Sequence, residues 1–446
     1  MASAAEQLAA NLNFGAFSKA TELKKRLWFT LGALIVYRLG TYIPLPGIDA
    51  AVLQDIFKQQ QGGILGMFNM FAGGALERMT IFALNIMPYI SASIILQLMT
   101  SISETLGQLK KEGESGRKKI NQYTRYLTVL IAILQAYGVA VGIEGMTSSQ
   151  GAAVSDPGMF FRFTAVVSLV GGTVFLMWLG EQITARGVGN GISLIIFAGI
   201  VAGLPQALVG TLELGRTGAL SSAFIALLLF GSVAVVYGIV FVERAQRRII
   251  VQYPKRQVGN KMFGGESSHL PLKVNTSGVI PLIFASSILL MPITLLSLTA
   301  TQGGGFLSEL AVWLGRGSPS YLALYGALIA FFAFFYTAVV FNPVETADNL
   351  KKYGGFVPGI RPGKNTADYL DYVLTRLTVV GAIYLVAIAI LPEILIAQYA
   401  VPFFFGGTSL LIAVSVTLDT VAQIQSHLLA HQYEGLIKKS RLKARR

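Results

Sequence analysis

The histidines and carboxylates of this sequence offer little catalytic chemistry. His427 and His431, with Glu434 beyond them, are spaced like metal ligands on one helix face, but a histidine pair of this kind near a chain terminus is more often unliganded. The chain has three histidines and no cysteine, which excludes thiolate metal sites, disulfides and cysteine nucleophiles. His-Glu-x-x-His, Gly-x-Ser-x-Gly and Walker motifs are also absent. We therefore predict no enzyme, no metal site and no cofactor.

Ionisable residues within apolar segments are the next candidates, because a charge in lipid is costly and usually has a function. Arg38 lies about 16 Å along the first apolar segment when counted from Leu27. A carbonyl partner, a snorkelling conformation and a functional role are all open for it. Glu393 and Asp419 lie near segment ends, where an interfacial position is favoured. The acid pair or histidine relay of a proton-coupled pump is not apparent.

Isoleucine recurs in these apolar segments at positions that suit a constriction. Two pairs lie one helical turn apart, and two single residues lie in later segments: Ile86, Ile90, Ile192, Ile196, Ile283 and Ile412. Taken singly, each isoleucine suits lipid contact or core packing. Leu385, in a later apolar segment, is expected to face lipid. Branched, stiff side chains that meet at mid-depth would form an apolar ring that seals by dewetting.

The elements that carry these residues are membrane spans. Hydrophobic residues make up 53% of the 446 residues, charged residues 13%, and mean hydropathy is +0.61, whereas soluble domains carry about 25% charged residues. We predict an all-α integral membrane protein with ten transmembrane helices. Their approximate ranges are Leu27 to Ile43, Thr80 to Met99, Tyr126 to Ile143, Phe160 to Leu179, Ile192 to Val209, Leu220 to Val242, Val279 to Leu298, Tyr321 to Phe341, Leu377 to Ile396 and Phe404 to Ala422.

A short apolar segment precedes the second span. Ile64 to Ala72 is apolar but covers only about half of a bilayer core of ~30 Å. Gly73 and Gly74, called the glycine joint below, then interrupt it. A helix that ends inside a membrane must be covered by protein or by a water-filled cavity. The sequence therefore predicts a wet interior that holds a small mobile half-helix.

Basic residues fix the predicted orientation. The termini and the loops on their side hold 29 of the 35 Lys and Arg residues, which places both termini in the cytoplasm. Two of these loops, Glu243 to Lys273 and Asn342 to Arg376, exceed the length that topology requires. The first loop has strand-like runs separated by turn residues, and this pattern predicts a projecting hairpin. Both suit an acidic partner such as ribosomal RNA or an acidic protein surface.

The spans divide into five and five at the connection from Gly210 to Ala219. Because five is odd, a second half with the same plan would be inverted relative to the first. We predict a cytosolic tail (1–26), a first half (27–209), a second half (210–430) and a basic cytosolic tail (431–446). Ten helices without internal symmetry remain an alternative.

Several long strings resemble one family, bacterial SecY, the channel subunits of the Sec protein translocon. They cover the chain from about residue 20 to 440 in the same order and include YIPLPGI (42–48), IMPYISASIILQL (86–98), KKEGESGRKKI (110–120), GEQITARGVGNGIS (180–193), HLPLKVN (269–275), FNPVETADNLKK (341–352), FVPGIRPG (356–363) and PFFFGGTSLLI (402–412). The resemblance implies a ten-helix channel of two inverted halves, with a central pore, in the bacterial inner (plasma) membrane. SecE and SecG would be its partners, and SecA or the ribosome would dock on the cytosolic loops.

Matching strings also imply roles for individual residues. The six isoleucines would form the pore ring, and the half-helix would be a plug made of Ile64, Leu65, Met67, Phe68, Asn69, Met70 and Phe71. Gln97 and Asn275 would face each other across a lateral gate. Separately from these matches, the clusters of basic residues in the two long loops suggest that Arg256, Lys261 and Arg361 contact SecA or the ribosome. The sequence departs from the family pattern in two places, at Asn85, where glycine is expected, and at Thr276 and Ser277, where an apolar and a small residue are usual.

We therefore predict a passive protein-conducting channel. It would pass unfolded secretory polypeptides across the membrane, recognise signal peptides, and release nascent membrane segments laterally into the lipid bilayer, driven by an external motor or the ribosome. The alternative is a five-plus-five inverted-repeat secondary transporter of a small solute, which would need polar ligands at mid-depth. A scaffold that only recruits ribosomes would not need the half-helix.

Overall fold

The computed structural model describes residues 21–59, 69, 72–144, 147–148, 151–217, 221–254, 256–258, 261–263, 267–289, 313, 318–399 and 407–443. Helices dominate this part of the chain. Those of the first part are α1 (Thr21–Gly40), α2 (Ala50–Gln59), α3 (Met87–Ile102), α4 (Glu104–Lys111), α5 (Glu114–Glu144), α6 (Met159–Arg186), α7 (Gly191–Arg216) and α8 (Ser222–Arg244). The later helices are α9 (Ile280–Leu289), α10 (Pro319–Val340), α11 (Pro343–Lys352), α12 (Lys364–Tyr399) and α13 (Gly407–Lys443).

Seven of the described helices are long and apolar enough to cross a membrane, namely α5, α6, α7, α8, α10, α12 and α13. Two further apolar helices, α3 and α9, are shorter. The seventh predicted span begins in α9, but its second part lies outside the described residues. The prediction of an all-α membrane protein is confirmed, and α1 occupies the position of the first predicted span.

The second predicted span begins later than expected. Residues 81–86 form turns and α3 starts at Met87, whereas the sequence predicted a helix from Thr80. Met79 and Asn85 have φ angles of +43° and +50°, a left-handed conformation that interrupts a right-handed helix. Pro88 then occupies the first turn of α3, where its missing N–H costs no helical hydrogen bond.

Local sequence explains several helix starts. The side chain of Ser221 accepts a hydrogen bond from the Phe224 N–H at the start of α8, and Ser318 caps α10 through the Tyr321 N–H. Asn342 accepts from two N–H groups at the start of α11, which also begins with proline. Short polar side chains at these positions satisfy N–H groups that have no partner within the helix.

The loop after α8 forms the predicted hairpin. Strand β3 (Gln246–Gln252) pairs antiparallel with β6 (Ser267–Lys273), and between them β4 (Arg256–Val258) pairs with β5 (Lys261–Phe263). The pairing is confirmed; its cytosolic location stays a prediction. In addition, β1 (Thr147–Ser148) and β2 (Gly151–Ala152) form a small antiparallel pair between α5 and α6.

The chain forms two compact units. The first comprises Met1–Thr100, Thr105–Val209 and Ile412–Arg446, and the second Ser101–Glu104 and Gly210–Leu411. Within the first unit α5 packs along α6, and within the second α10 and α11 pack on α12. The predicted division into domains stays a prediction, with bounds 1–26, 27–209, 210–430 and 431–446.

Candidate functional site

The glycine joint has a backbone that requires glycine. Gly73 and Gly74 have φ angles of +63° and +82°, in the left-handed region that L side chains rarely adopt. A Cβ on Gly73 would also lie 2.9 Å from the Cα of Gly199 in α7. Glycine is therefore the residue that fits at Gly73, where the chain passes close to α7.

Hydrogen bonds tie Asn69, just before the joint, to Glu77, just after it. Nδ2 of Asn69 donates to Oε2 of Glu77 at 3.0 Å, and the Glu77 N–H donates to Oδ1 of Asn69 at 2.9 Å. The Gly74 N–H donates to the Asn69 carbonyl at 2.9 Å. Asn69 is buried, so these polar groups need the partners they have.

The chain after the joint is fixed to the segment that follows α1. The Leu45 N–H donates to the Met79 carbonyl at 3.0 Å, and the Ile81 N–H donates to the Ile43 carbonyl at 3.1 Å. These backbone bonds hold residues 79–81 against the segment that follows α1.

Most of the predicted plug lies outside the described residues. This applies to Ile64, Leu65, Met67, Phe68, Met70 and Phe71. Asn69 and Ala72 are described and both are buried. The plug assignment therefore stays a prediction, supported by the joint geometry on its C-terminal side.

The six isoleucines of the predicted pore ring differ in burial. Four are buried: Ile86, Ile90, Ile196 and Ile412. Ile192 and Ile283 are partly buried. Five of the six lie in the first unit, and Ile283 lies in the second. Leu385, expected to face lipid, is fully buried, so that expectation is wrong; a regular apolar helix does not reveal from sequence which of its faces packs against protein.

Two irregular segments position the first four isoleucines. The left-handed conformation of Asn85 sets the direction of α3, and the Ile90 N–H donates to the Ile86 carbonyl at 3.1 Å as that helix begins. Asparagine tolerates this conformation better than most residues, which explains how it can replace the expected glycine.

The second pair, Ile192 and Ile196, lies in α7. The glycine-rich run before α7 is held by side chains from α1 and α13. Thr30 Oγ1 accepts from the Val188 N–H at 3.0 Å, and Gln423 Oε1 accepts from the Gly189 N–H at 2.9 Å.

The two predicted gate residues lie in different units, and each is described within its own unit. Gln97 is half-buried in α3, where its backbone carbonyl accepts a 2.7 Å hydrogen bond from Thr100. Asn275 is buried in the turn after β6, where its Nδ2 donates to Glu243 of α8 at 2.7 Å. The unusual Ser277 donates to Oδ1 of Asn275 at 3.1 Å, so this departure from the family pattern stabilises the turn.

Arginine and glutamate side chains join α5 and α6 near both ends of their predicted membrane spans. Arg125 Nε and Nη2 donate to the two oxygens of Glu181 at 2.9 and 2.7 Å. At the other end Arg162 lies 2.7 Å from Glu144, which also accepts from the Gly158 N–H at 3.0 Å. Sequence reasoning missed both pairs, although oppositely charged residues at the ends of consecutive spans were a visible signal.

The two basic loops form one structural unit. The N–H and carbonyl groups of Gln252 and Phe356 exchange two hydrogen bonds, of 2.9 and 3.0 Å. An apolar cluster shared by the hairpin, the second loop and α12 supports this bridge and comprises Ile249, Leu272, Val357, Leu370 and Val373. Arg361 is exposed, as a docking residue must be. Arg256 and Lys261 lie in β4 and β5, and their side chains are outside the described set.

No group of three or more His, Cys, Asp or Glu side chains is placed to bind a metal ion within the described part of the chain. His427, for which no metal ligation is predicted, is described, whereas the side chains of His431 and Glu434 lie outside the described part.

Comparisons with known proteins agree on one family. A family model, SecY, matches residues 80–421. The chain is 56% identical over 429 residues to the protein translocase subunit SecY of Rickettsia typhi, covering 96% of this chain and 99% of that protein. It is 58% identical over 423 residues to the subunit of the same name from Escherichia coli K12, covering 95% of each.

Solved structures show the same fold at lower identity. A protein-conducting channel superposes with a TM-score of 0.66 at 18% identity, covering 91% of this chain and 92% of the other. A SecY structure described by its plug domain gives 0.64 at 17% identity, with the same two coverages. Sec61 in the canine ribosome-channel complex from the endoplasmic reticulum gives 0.62 at 17% identity, again with 91% and 92% covered. The predicted count of ten helices is consistent with this fold.

Proposed function

We propose, because this chain belongs to the SecY family, that it is the channel subunit of a bacterial protein translocase. The observation that supports this proposal most directly is sequence identity to two translocase subunits, 56% to one and 58% to the other, over nearly the whole chain. The family is non-enzymatic, so the chain supplies a path for the polypeptide and an external machine supplies the energy. The alternative, a small-solute transporter, finds no support among these relatives.

The path itself is proposed to run through the ring of six isoleucines. Aliphatic side chains that close on one another exclude water and ions without binding the passing chain. The half-helix before the glycine joint would close the path from one side, as a plug. Its support is the joint, whose left-handed backbone and hydrogen bonds suit a short segment that ends at membrane depth.

Lateral release is proposed to occur between the segments that carry Gln97 and Asn275. Signal peptides and nascent membrane segments are apolar, so a seam that opens toward lipid lets them partition into the bilayer. SecE and SecG are the proposed partners within the membrane.

Docking is proposed on the unit formed by the two basic loops. SecA or a ribosome would contact Arg256, Lys261 and Arg361. The resemblance to the Sec61 fold of a ribosome-channel complex supports a ribosome as one such partner. Pairing through Gln252 and Phe356 would transmit a force on either loop to α12, which begins at Lys364 within the second loop.

The chain is a multi-pass membrane protein. We propose the bacterial inner membrane as its location, with both termini in the cytoplasm, on the strength of the 29 basic residues that fall on one predicted side.

The proposal is tested in vesicles that contain the purified chain, SecE and SecG. With SecA and ATP added, we expect a full-length secretory precursor to become protected from external protease. A precursor without a signal sequence is the control and should stay accessible. Vesicles that bind SecA yet protect neither precursor would overturn the proposal.

A further inference from the structure

Strand β3 has backbone groups that point away from its partner β6. The N–H and carbonyl groups of Gln252 both bond Phe356, on the side of β3 that faces away from β6. In an antiparallel strand, the backbone groups of alternate residues point to the same side. Those of Arg248 and Ile250 therefore point outward as well, and these two residues are called the open edge below.

The chain after Phe356 does not continue along the open edge. It forms a turn in which the Ile360 N–H donates to the Val357 carbonyl at 3.1 Å. Pro358 has no N–H to offer the next residue of β3, and Gly359 has a φ angle of +80°, as the third residue of a type II turn requires. In the described part of the chain, the open edge has no strand partner other than β6.

The far edge of the hairpin, on β6, differs from the open edge. Pro271 lies opposite Arg248, and its ring nitrogen points to the far edge. Proline at an edge prevents the addition of another strand, because it cannot donate to the ladder. His269, opposite Ile250, is the neighbouring residue whose N–H points to the far edge. Of the two edges, the open edge is therefore the one suited to accept a further strand.

The side chains beside the open edge are basic and apolar. Ile249 is buried in the cluster shared with α12, whereas Arg247 and Arg248 are exposed and Ile250 is 48% exposed. Opposite charges and apolar pairs stabilise neighbouring strands, and like charges oppose pairing. A second copy of this chain is a poor fit, because its β3 would bring two more arginines to the same edge. An acidic segment with an apolar residue complements the edge.

We propose that the open edge binds an extended acidic segment of a protein partner as an added antiparallel strand. In such strand addition, backbone hydrogen bonds give affinity and alternate side chains give specificity. Because the added strand is antiparallel, an apolar residue opposite Ile250 is followed two and three residues later by acidic residues opposite Arg248 and Arg247. The contact lies in β3 rather than in β4 or β5, and it does not depend on the proposed channel function.

The experiment measures binding of a fluorescent eight-residue peptide, with valine and glutamate in that pattern, to the purified full-length protein in detergent. Ile250→Pro removes an outward N–H and should weaken binding roughly fivefold, because one backbone hydrogen bond to the peptide is lost. His269→Pro is the matched control, since it removes the N–H at the same register position of the far edge, and it should bind the peptide as the parent does. Neither change removes a hydrogen bond between β3 and β6. Arg248→Glu should also weaken binding, because like charges then face each other.

Methylation of the peptide backbone distinguishes strand addition from attraction by charge. Methyl groups on the peptide amides that face β3 should abolish binding to the parent, whereas methyl groups on the alternate amides should leave it intact. Equal binding of the two methylated peptides, or of the unmodified peptide to Ile250→Pro and the parent, would overturn the proposal. If Ile250→Pro does not fold, the two methylated peptides on the parent decide. Self-association that Ile250→Pro abolishes, without peptide binding by the parent, would assign the edge to a second copy and also overturn it.

Discussion

Asn275 donates a 2.7 Å hydrogen bond from its side-chain amide to Oε1 of Glu243. The second amide hydrogen bond goes to the Gly278 carbonyl at 3.1 Å. A Cβ on Gly381 of α12 would lie 3.0 Å from the Val274 carbonyl, so the turn packs closely on that helix. The proposed gate residue is thus held by α8 and α12 of its own unit, and any other acceptor for its amide must compete with Glu243 or Gly278.

The first prediction concerns this competition. Glu243→Ala should loosen the turn and ease lateral release, because Asn275 loses a charge-assisted partner. Glu243→Gln keeps an acceptor oxygen and should behave more like the parent. The measurement is the fraction of a marginally apolar test segment that enters the membrane. Equal insertion for Glu243→Ala and the parent would show that Glu243 does not control the turn.

The second prediction concerns the ion pair between α5 and α6. Arg125→Glu should lower the melting temperature of the purified protein, since two carboxylates then face each other. The double variant Arg125→Glu, Glu181→Arg should recover most of that loss. The native pair is partly exposed, with side-chain exposures of 49% and 30%, so its own contribution should not exceed about 1 kcal/mol. No recovery in the double variant would argue against a direct pairing of these side chains.

The third prediction concerns the isoleucines. Ile90→Asn and Ile412→Asn should be well expressed, slightly leaky and permissive for secreted proteins with defective signals, because a polar ring wets more easily. In an ordinary core, the same changes would lower the free energy of unfolding by several kcal/mol, and little folded protein would remain. Export of a signal-defective reporter is measured beside protein level.

The control for the isoleucine variants lies on α12. Leu385 is unsuitable because it is buried, whereas Ile383 on the same helix is 65% exposed. Ile383→Asn should leave export of the defective reporter at the parent level. Degradation of both ring variants without relaxed export would assign Ile90 and Ile412 to ordinary packing.

The fourth prediction concerns the basic loops. The double variant Arg256→Ala, Lys261→Ala should bind ribosomes more weakly than the parent, and its binding should depend less steeply on salt concentration. Each phosphate contact that is lost lowers the number of counterions released on binding. Arg361→Glu should impair SecA-driven export while the channel still folds, since this side chain is exposed. Arg216→Ala is the control, because Arg216 lies in the connection from Gly210 to Ala219, which follows five predicted spans and therefore falls on the side opposite the N-terminus. Parallel salt slopes for the double variant and the parent would contradict the docking assignment.

Sequence alone predicted the parts of this protein that follow from composition and periodicity. Long apolar segments gave most of the helices, and turn residues between strand-like runs gave the pairing of β3 with β6. The glycine joint was also visible, because two glycines after a short apolar segment have few other uses in a membrane protein.

What sequence could not predict depends on contacts between distant residues. The partner of Arg38 is a backbone carbonyl, which no residue type reveals. Asn85 adopts a left-handed conformation that delays the start of α3, although the apolar run continues through it. The lipid-facing prediction for Leu385 was likewise wrong, because the residues around it in the predicted span are apolar on every face of α12 and only packing distinguishes those faces.

The central claim is that a polypeptide passes through the ring of isoleucines. It is tested by placing a photoreactive residue at Ile86, at Ile412 or at the exposed Ile383, and arresting a secretory chain during translocation. The account predicts crosslinks to the arrested chain from positions 86 and 412 and none from position 383. Crosslinks only from position 383, or from neither ring position while the chain is arrested within the channel, would contradict it.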